Sequence, residues 1–221
     1  QRQMCIRDSA GGSLKFSFGK GFRAPNLREL YLYPPANADL KPEYMWNYDV
    51  EFRQWLFDNR FNIGLSFFFI DGKNMIQTAR VDGRPRNVNT GTFINKGFEV
   101  DAAYQISDEW SASANYSYLH TTNDNLLGAP KNKLNAEVSY TPGNLELTLE
   151  SNTIWSLYTG APDGHTQSYS LLNLRAGYTF RTKVDVKPFL KLDNILNKHY
   201  EIMYGCPMPG MTVMGGVEIK F

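Results

Sequence analysis

The sequence has few cysteines, few histidines and no long apolar run, and each shortage excludes a class of protein. With two cysteines in 221 residues, we expect neither a disulfide framework nor a cysteine metal site. The three histidines form no cluster with metal-ligand spacing, so no resident metal or cofactor is expected. The densest apolar run, residues 67–70, is four residues long. A membrane helix needs about 20 apolar residues, so a helical membrane protein is excluded.

Acidic and basic residues are present in nearly equal numbers. The chain has 23 basic and 22 acidic residues and a formal net charge of +1. A nucleic-acid-binding protein usually carries a basic stripe, and a protein that binds anionic lipid often carries a polybasic run. Neither pattern is present, so no nucleic-acid partner is expected.

Aromatic residues, in contrast, are abundant at 14%, and period-two alternation of apolar and polar residues recurs in ten segments. Each segment predicts a β-strand. Most are near the 9 to 11 residues that a tilted membrane strand needs and longer than the usual strands of soluble sheets. The predicted strands are 13–23, 43–57, 61–76, 94–106, 110–121, 131–140, 145–156, 168–180, 184–194 and 211–221.

The connections between these strands alternate between short and long. Short periplasmic turns and long extracellular loops are typical of bacterial outer-membrane barrels, whereas a soluble sandwich has no reason to separate its loops in this way. The alternation therefore favours a barrel. The short turns are 58–60, 107–109, 141–144 and 181–183, and the long links are 24–42, 77–93, 122–130, 157–167 and 195–210.

The two faces of each predicted strand differ in chemistry. In strand 61–76 the face that includes Phe61, Leu65 and Phe69 is apolar, and in strand 94–106 the opposite face carries Glu99 and Asp101. Such charges would be costly in a dry core, so they must face water or a polar filling. We predict an all-β fold, a transmembrane antiparallel barrel, with about ten strands here and more upstream because ten strands cannot close around a substantial filling.

The first residues do not fit this pattern. Residues 1–9 show neither alternation nor turn chemistry, and we expect them to be non-native, which leaves 10–221 as the barrel portion. No signal peptide is visible, so the native N-terminus is expected upstream. Cys5 then has no structural meaning and Cys206 stands alone, so no disulfide is expected.

Five motifs follow one another along the chain: Gly21-Phe22-Arg23-Ala24-Pro25-Asn26-Leu27-Arg28-Glu29-Leu30-Tyr31, Asn37-Ala38-Asp39-Leu40-Lys41-Pro42-Glu43, Asn89-Thr90-Gly91 with Lys96-Gly97-Phe98-Glu99-Val100, Leu192-Asp193-Asn194-Ile195-Leu196-Asn197-Lys198-His199-Tyr200-Glu201 and Pro207-Met208-Pro209-Gly210. In this order and spacing they resemble the motifs of the C-terminal barrel of TonB-dependent receptors, over residues 13–221. The second motif departs from the family's form because Ala38 stands where that family has proline.

The resemblance implies a 22-stranded barrel closed by an N-terminal plug, which is missing here. It also implies a Gram-negative outer-membrane location and energy coupling to TonB through that plug. Outer-membrane lipid, lipopolysaccharide and the barrel assembly machinery are the other implied partners. The C-terminus resembles the assembly signal read by that machinery, at Gly216, Ile219 and Phe221, although Met214 departs from the pattern.

The extracellular loops are where a receptor would capture its ligand. Arginine offers forked donors to carboxylate or catecholate oxygens, so an anionic iron chelate would suit these loops. The alternative is a solvated loop that binds lipopolysaccharide phosphates or nothing. The candidate ligand-binding residues are Arg28, Tyr31 and Tyr33 in the first long link and Arg80, Arg84 and Arg86 in the second.

Other functions are less favoured by the residues. Haem receptors place a histidine between the first two motifs, and residues 26–36 contain none. Asp163, His165 and Ser168 are close in sequence, but that proximity does not make a catalytic triad, and we expect no enzyme. A passive porin is the remaining rival. We predict TonB-coupled uptake of a ferric siderophore, with cobalamin as an alternative that the sequence does not distinguish.

Overall fold

The structure is a computed structural model that describes residues 2–7, 11–122, 126–162, 164–181 and 183–220. These residues form one 11-stranded antiparallel sheet, two small hairpins and one four-residue helix, α1 (Leu27–Leu30). No helix in these described ranges is long and apolar enough to cross a membrane. The strands are β1 (Arg2–Arg7), β2 (Gly12–Arg23), β3 (Glu43–Leu56), β4 (Phe61–Lys73), β5 (Ile76–Val81), β6 (Arg84–Asn89), β7 (Thr92–Gln105), β8 (Trp110–Thr121), β9 (Asn132–Tyr140), β10 (Leu145–Tyr158), β11 (Thr166–Tyr178), β12 (Asp185–Asp193), β13 (Glu201–Met203), β14 (Cys206–Pro207) and β15 (Thr212–Lys220).

All ten predicted strands are present, each within three residues of its predicted bounds. The sheet also contains β1, which pairs with β2 from Arg2↔Phe18 to Arg7↔Ser13. This segment has no alternating pattern, but ladder hydrogen bonds join backbone groups and do not require one. Whether residues 1–9 are native stays a prediction, and residues 1, 8 and 9 lie outside the described residues.

Neighbouring strands of the main sheet are also neighbours in the chain, apart from the two hairpins β5–β6 and β13–β14, which lie within long links. The register of β3 against β4 is continuous. The alternation of β3 is interrupted near Arg53, where Phe52 and Trp55 are both apolar, but the strand has no bulge there: Gln54 lies on the apolar face and Trp55 on the polar face. Pro188 opposes Val217 without a register break.

The apolar face of the sheet is uncovered. Phe67, Val213 and Val217 are 52%, 59% and 59% exposed, although side chains of this kind are normally buried. A continuous exposed apolar surface of this extent marks a membrane or partner surface. Rings stack at both ends of this face, with Trp110 and Tyr140 4.3 Å apart at the short-turn end and Phe18 and Trp46 5.2 Å apart at the long-loop end.

The opposite face is held together by polar contacts between strands. Arg53 donates two hydrogen bonds to the carboxylate of Asp101, at 2.8 and 2.9 Å. This pair crosses β4 at Gly64, where a Cβ atom would lie 2.7 Å from the Arg53 guanidinium. Lys187 pairs with Glu146 on the same face. Paired charges are consistent with a face that is turned away from lipid.

The buried side chains of the described residues lie at one end of the sheet. Among the described residues, the buried hydrophobic side chains are those of Leu40, Leu157, Ala161 and Tyr169. All four lie in the long links or next to them, at the end of the sheet opposite the short turns. The wall of the sheet has no apolar core of its own, and the long-loop end is where packed structure is found.

Candidate functional site

The first long link begins with a short capped helix. Asn26 accepts a hydrogen bond from the Glu29 amide at 2.9 Å, and the Glu29 side chain accepts one from the Asn26 amide at 2.8 Å. This reciprocal capping box satisfies amides that a helix start leaves without partners. It fixes α1 at the point where the chain leaves β2.

Arg23 ties this helix to the neighbouring strand. Its guanidinium contacts Glu29 at 3.0 Å and Glu43 at 2.6 Å, and Glu43 also accepts a hydrogen bond from the Ile76 amide at 2.6 Å. Glu43 is the first residue of β3 and directly follows the first long link, so it lies at the long-loop end of the sheet. Burial acts to raise the pKa of Glu43, but the hydrogen bonds from Arg23 and the Ile76 amide outweigh it and hold the pKa below its usual range.

The second long link folds into the β5–β6 hairpin. Val81 pairs with Arg84, so the turn consists of Asp82 and Gly83, with φ angles of 50° and 75°. Two central residues with positive φ define a type I′ turn, which an Asp-Gly sequence favours. The alternating pattern predicts only a long link at 77–93, and the Asp82-Gly83 pair is the sequence signal that identifies the hairpin.

The hairpin and the first link contact each other through Asn87, which is 7% exposed. Its amide donates to the Pro35 carbonyl at 2.6 Å, and its side-chain nitrogen donates to the Glu29 carbonyl at 3.3 Å. Its own carbonyl accepts from the Asn37 side chain at 2.7 Å, and its side-chain oxygen accepts from the Thr78 hydroxyl at 2.9 Å. Every polar atom of this buried residue is satisfied.

Two other residues of β6 add contacts to the same link. Arg86 donates to Asn37 at 2.9 Å and to Asp39 at 3.2 Å. The Asn89 side chain exchanges two hydrogen bonds of 2.9 Å with the backbone of Lys41. Residues 24–42 and the β5–β6 hairpin together are named loop unit one from here on.

Residues of loop unit one line a cavity of about 820 Å³ that is open to solvent. Four of the six residues predicted to contact ligand line it, namely Tyr31, Tyr33, Arg84 and Arg86. Tyr33 is 82% exposed and Tyr31 65%, so both rings are accessible to a ligand. The other lining residues are Pro34, Pro35, Ala36, Val81, Asp82 and Pro85.

Arg28 and Arg80 do not line this cavity. Arg80 pairs with Pro85, whereas Arg84 pairs with Val81. Successive residues of a strand alternate between faces, so Arg80 lies on the opposite face of the hairpin from Arg84 and Arg86. Arg28 is exposed on α1. Among the described residues, neither Arg84 nor Arg28 nor Arg80 has a salt-bridge partner.

A second packed region, loop unit two, consists of residues 157–162 and 194–210. Its centre is Asn194, which is 4% exposed and has a φ of 51°. Asn194 receives a hydrogen bond from the Lys198 amide and donates to the Lys198 carbonyl, both at 2.9 Å, and its own amide donates to the Asn173 side chain at 2.9 Å. The Tyr204 amide donates to the carbonyl of the buried Thr159 at 2.8 Å.

Ser168 is one of the three neighbouring residues compared above with a catalytic triad. The Ser168 hydroxyl accepts a hydrogen bond from the Ser156 amide at 3.1 Å, which is a structural contact beside the β10 bulge. Asp163 lies outside the described residues. The residues that the structure describes contain no group of three or more His, Cys, Asp or Glu side chains that could hold a metal ion. Cys206 is an exposed free cysteine in β14.

Two residues of the predicted assembly signal lie in β15, at the edge of the sheet. Gly216 lies beneath the Phe189 ring, where a Cβ atom would be 2.6 Å from the ring. Ile219 lies on the apolar face and is 54% exposed. Phe221 is outside the described residues. The role of these three residues in assembly stays a prediction.

Comparison with known proteins agrees with this architecture. The family model for the β-barrel of TonB-dependent receptors matches residues 8–195. The ferric-pyoverdine BN7/BN8 receptor of Pseudomonas putida is 26% identical over 218 residues, which covers 90% of this chain and 26% of that receptor. An uncharacterised TonB-dependent receptor of Haemophilus influenzae is 24% identical over 143 residues, covering 59% of this chain and 39% of the relative.

Solved structures share the fold. The copper transporter OprC superposes with a TM-score of 0.80 at 17% identity, over 97% of this chain and 38% of OprC. The siderophore receptor PirA of Pseudomonas aeruginosa superposes with a TM-score of 0.76 at 20% identity, over 99% of this chain and 38% of PirA. The chain thus spans well under half the length of the proteins it matches, and the predicted partial transmembrane barrel is confirmed.

Proposed function

Because the chain belongs to the TonB-dependent receptor β-barrel family, we propose that the protein containing it imports a ferric siderophore across the outer membrane. The relatives it matches are receptors and transporters, and a ferric-pyoverdine receptor is among them. In this proposal the long links face the cell exterior, and coupling to TonB takes place through a part of the protein that this chain does not include.

The cavity of loop unit one is the observation that carries the proposal. It combines two exposed tyrosine rings with Arg84, which has no carboxylate partner among the described residues. An unpaired guanidinium at an open cavity is available to a ligand, whereas Arg86 is already occupied by Asn37 and Asp39. Arg84 is therefore the residue proposed to contact the ligand's charge.

The chemistry of this cavity suits an anionic chelate. The planar guanidinium can donate two parallel hydrogen bonds to a carboxylate or to neighbouring chelating oxygens. The tyrosine rings offer a flat apolar surface with a hydroxyl at its edge, which contributes contact area at a low conformational entropy cost. Proline residues 34, 35 and 85 line the cavity with a rigid backbone. No step of this function requires a covalent reaction at the protein.

The edge strand β15 is proposed to serve the assembly of the barrel. Its alternating residues and the terminal Gly216, Ile219 and Phe221 match the signal implied by the family resemblance. An Ile219→Asp variant should reduce insertion into the outer membrane, and the amount of folded barrel in membrane fractions measures this. An unchanged amount would remove Ile219 from the signal.

The test of transport is ligand binding followed by uptake. The full-length protein in detergent is titrated with ferric pyoverdine, ferric enterobactin and cobalamin, and uptake of each is measured in cells with and without TonB. Tight binding and TonB-dependent uptake of a ferric siderophore is the expected result. If the protein binds only cobalamin, cobalamin and not a ferric siderophore is the transported ligand. If small solutes diffuse through the protein without TonB and according to their size, the protein is a porin.

A further inference from the structure

Asn87 joins two segments that are far apart in the sequence. It lies 58 residues from Glu29, whose carbonyl accepts its side-chain N–H. A buried asparagine with all its polar atoms satisfied is costly to disturb, because each buried partner left without a hydrogen bond keeps its desolvation cost without compensation. Its position therefore constrains both segments.

The hydrogen bonds of Asn87 are divided unequally between the segments. Three go to the first link, at Glu29, Pro35 and Asn37, and one goes across the hairpin to Thr78. The bonds to Pro35 and Asn37 are made by the Asn87 backbone, whereas the side chain bridges the Glu29 carbonyl and the Thr78 hydroxyl. The side chain therefore makes one hydrogen bond to each of the two segments.

The attachment follows β6 from its middle to its end. Arg86 and Asn89 also contact the first link, through Asn37, Asp39 and Lys41. Arg84, in contrast, stands next to the Asp82–Gly83 turn and is not part of these contacts. The base of the hairpin is fixed, and its tip carries the arginine that is free for a ligand.

We propose that loop unit one is a single preformed body and that Asn87 is its positioning residue. The cavity between the tyrosines and Arg84 then has its shape before any ligand arrives. The role of this cavity in ligand binding rests on the proposed function, whereas the coupling of the two segments does not. A preformed surface binds without the free-energy cost of ordering loops.

Hydrogen–deuterium exchange of the full-length protein tests the coupling without a ligand. In Asn87→Ala, the amides of Ala36 and Asn37 should exchange about tenfold faster, because the Glu29 carbonyl that accepts the Asn37 amide loses its side-chain bond to the hairpin, although the backbone bonds of residue 87 to Pro35 and Asn37 remain. Asn87→Asp keeps the acceptor for Thr78 but sets a buried carboxylate oxygen against the Glu29 carbonyl, so an acceleration at least as large is expected. Asn194→Ala is the matched control, a buried asparagine of the other unit, and should leave these two amides unchanged.

Acceleration confined to residues 76–89 in Asn87→Ala would mean that the two segments move independently and would overturn the proposal. Each variant is first checked for folding by the heat-dependent migration of the intact barrel on denaturing gels. If Asn87→Ala does not fold, the exchange rates of the Ala36 and Asn37 amides are measured in Asn87→Asp and Thr78→Val instead, and unchanged rates in both variants would overturn the coupling.

Binding kinetics of ferric pyoverdine test the positioning role. If Asn87→Ala is in the competent arrangement only part of the time, association slows in proportion while dissociation from the assembled site stays the same. We expect association about tenfold slower and dissociation within about twofold. Faster dissociation with unchanged association would overturn the positioning role. If the wild-type protein binds none of the panel, the proposed function fails while the exchange result still stands.

Discussion

The two loop units are both organised around a buried asparagine, yet they differ in charge and in openness. Loop unit one has four arginines and an open cavity, whereas loop unit two has no arginine. Loop unit two instead contains the buried Leu157, Thr159 and Ala161. The same type of hydrogen-bonded centre thus supports a surface suited to a charged ligand in one unit and a small buried cluster in the other.

This difference indicates a division of tasks at the long-loop end. Loop unit one presents the accessible side chains of Tyr31, Tyr33 and Arg84 at its cavity. Loop unit two connects β12 to β15, and its Tyr200 ring lies 4.4 Å from the Tyr169 ring at an inclination of 38°. Variants that alter the charge or the hydrogen bonds of either unit test this division.

Reversing the charge of Arg84 should have the largest effect. Arg84→Glu replaces a charge-assisted donor by a group that repels an anion, so ferric pyoverdine should bind at least about 100-fold more weakly, which corresponds to about 2.7 kcal/mol. A titration of the full-length variant measures this. Lys198→Glu, an equivalent reversal in loop unit two, should leave binding unchanged, and equal losses in both variants would remove the distinction between the units.

Truncating the Asn194 side chain should have the next largest effect. Asn194→Ala leaves the Lys198 amide and carbonyl without their side-chain partners and places alanine at a φ of 51°. The expected cost to the local opening free energy is about 1 to 3 kcal/mol, seen as faster amide exchange in residues 194–210. Ligand binding should persist, and its loss would mean that loop unit two is part of the site.

Neutralising Glu43 should weaken loop unit one to a smaller degree. Glu43→Gln weakens the contacts to Arg23 and the Ile76 amide, and about 1 kcal/mol is expected because the Arg23 side chain is 43% exposed and partly screened. Exchange of the Ile76 amide reports the change. An unaltered rate would show that the carboxylate charge contributes nothing.

The sign of the pH dependence follows from the same group. Because the folded protein lowers the pKa of Glu43, its contribution is fully present above the pKa of an unfolded glutamate, about 4.3. It is lost as the pH falls through the lowered folded value. Loop unit one should therefore loosen in acid, and Glu43→Gln should remove that dependence at this contact.

The smallest effect is expected for Asp39→Asn. The Asp39 side chain is 86% exposed, and its contact with Arg86 is 3.2 Å long, so the pair should contribute less than about 1 kcal/mol. Arg86 keeps its hydrogen bond to Asn37 at 2.9 Å. Exchange of the Asn87 amide should change by less than about threefold, and a larger change would assign Asp39 a role in holding the hairpin.

The wall of the sheet could be predicted from the sequence because period-two alternation reports directly which residues face apolar surroundings. The bounds of β8, Trp110–Thr121, match the prediction at both ends. Gln54 interrupts the alternation of β3 as a polar residue on the apolar face, and the continuous registers with β2 and β4 place it there.

For the candidate site, the sequence could predict some of the residues but not their arrangement in space. The sequence identified Tyr31, Tyr33, Arg84 and Arg86 as residues of two separate links, but their common cavity depends on contacts across about 50 residues. Asn87 was missed because a buried asparagine has no local pattern. The separation of Arg80 from Arg84 could have been predicted once the Asp82–Gly83 turn was recognised, since it sets the faces of the hairpin.

The Asp82–Gly83 turn has a consequence for how the protein can diversify. The base of its hairpin is fixed by Asn87 and Asn89, while the tip next to Arg84 makes no contact that the fold depends on. Substitutions or short insertions at the tip can therefore accumulate without disturbing the barrel. A lineage under attack by phages or antibodies, or one that meets a new chelator, could alter its outermost surface here in single mutational steps.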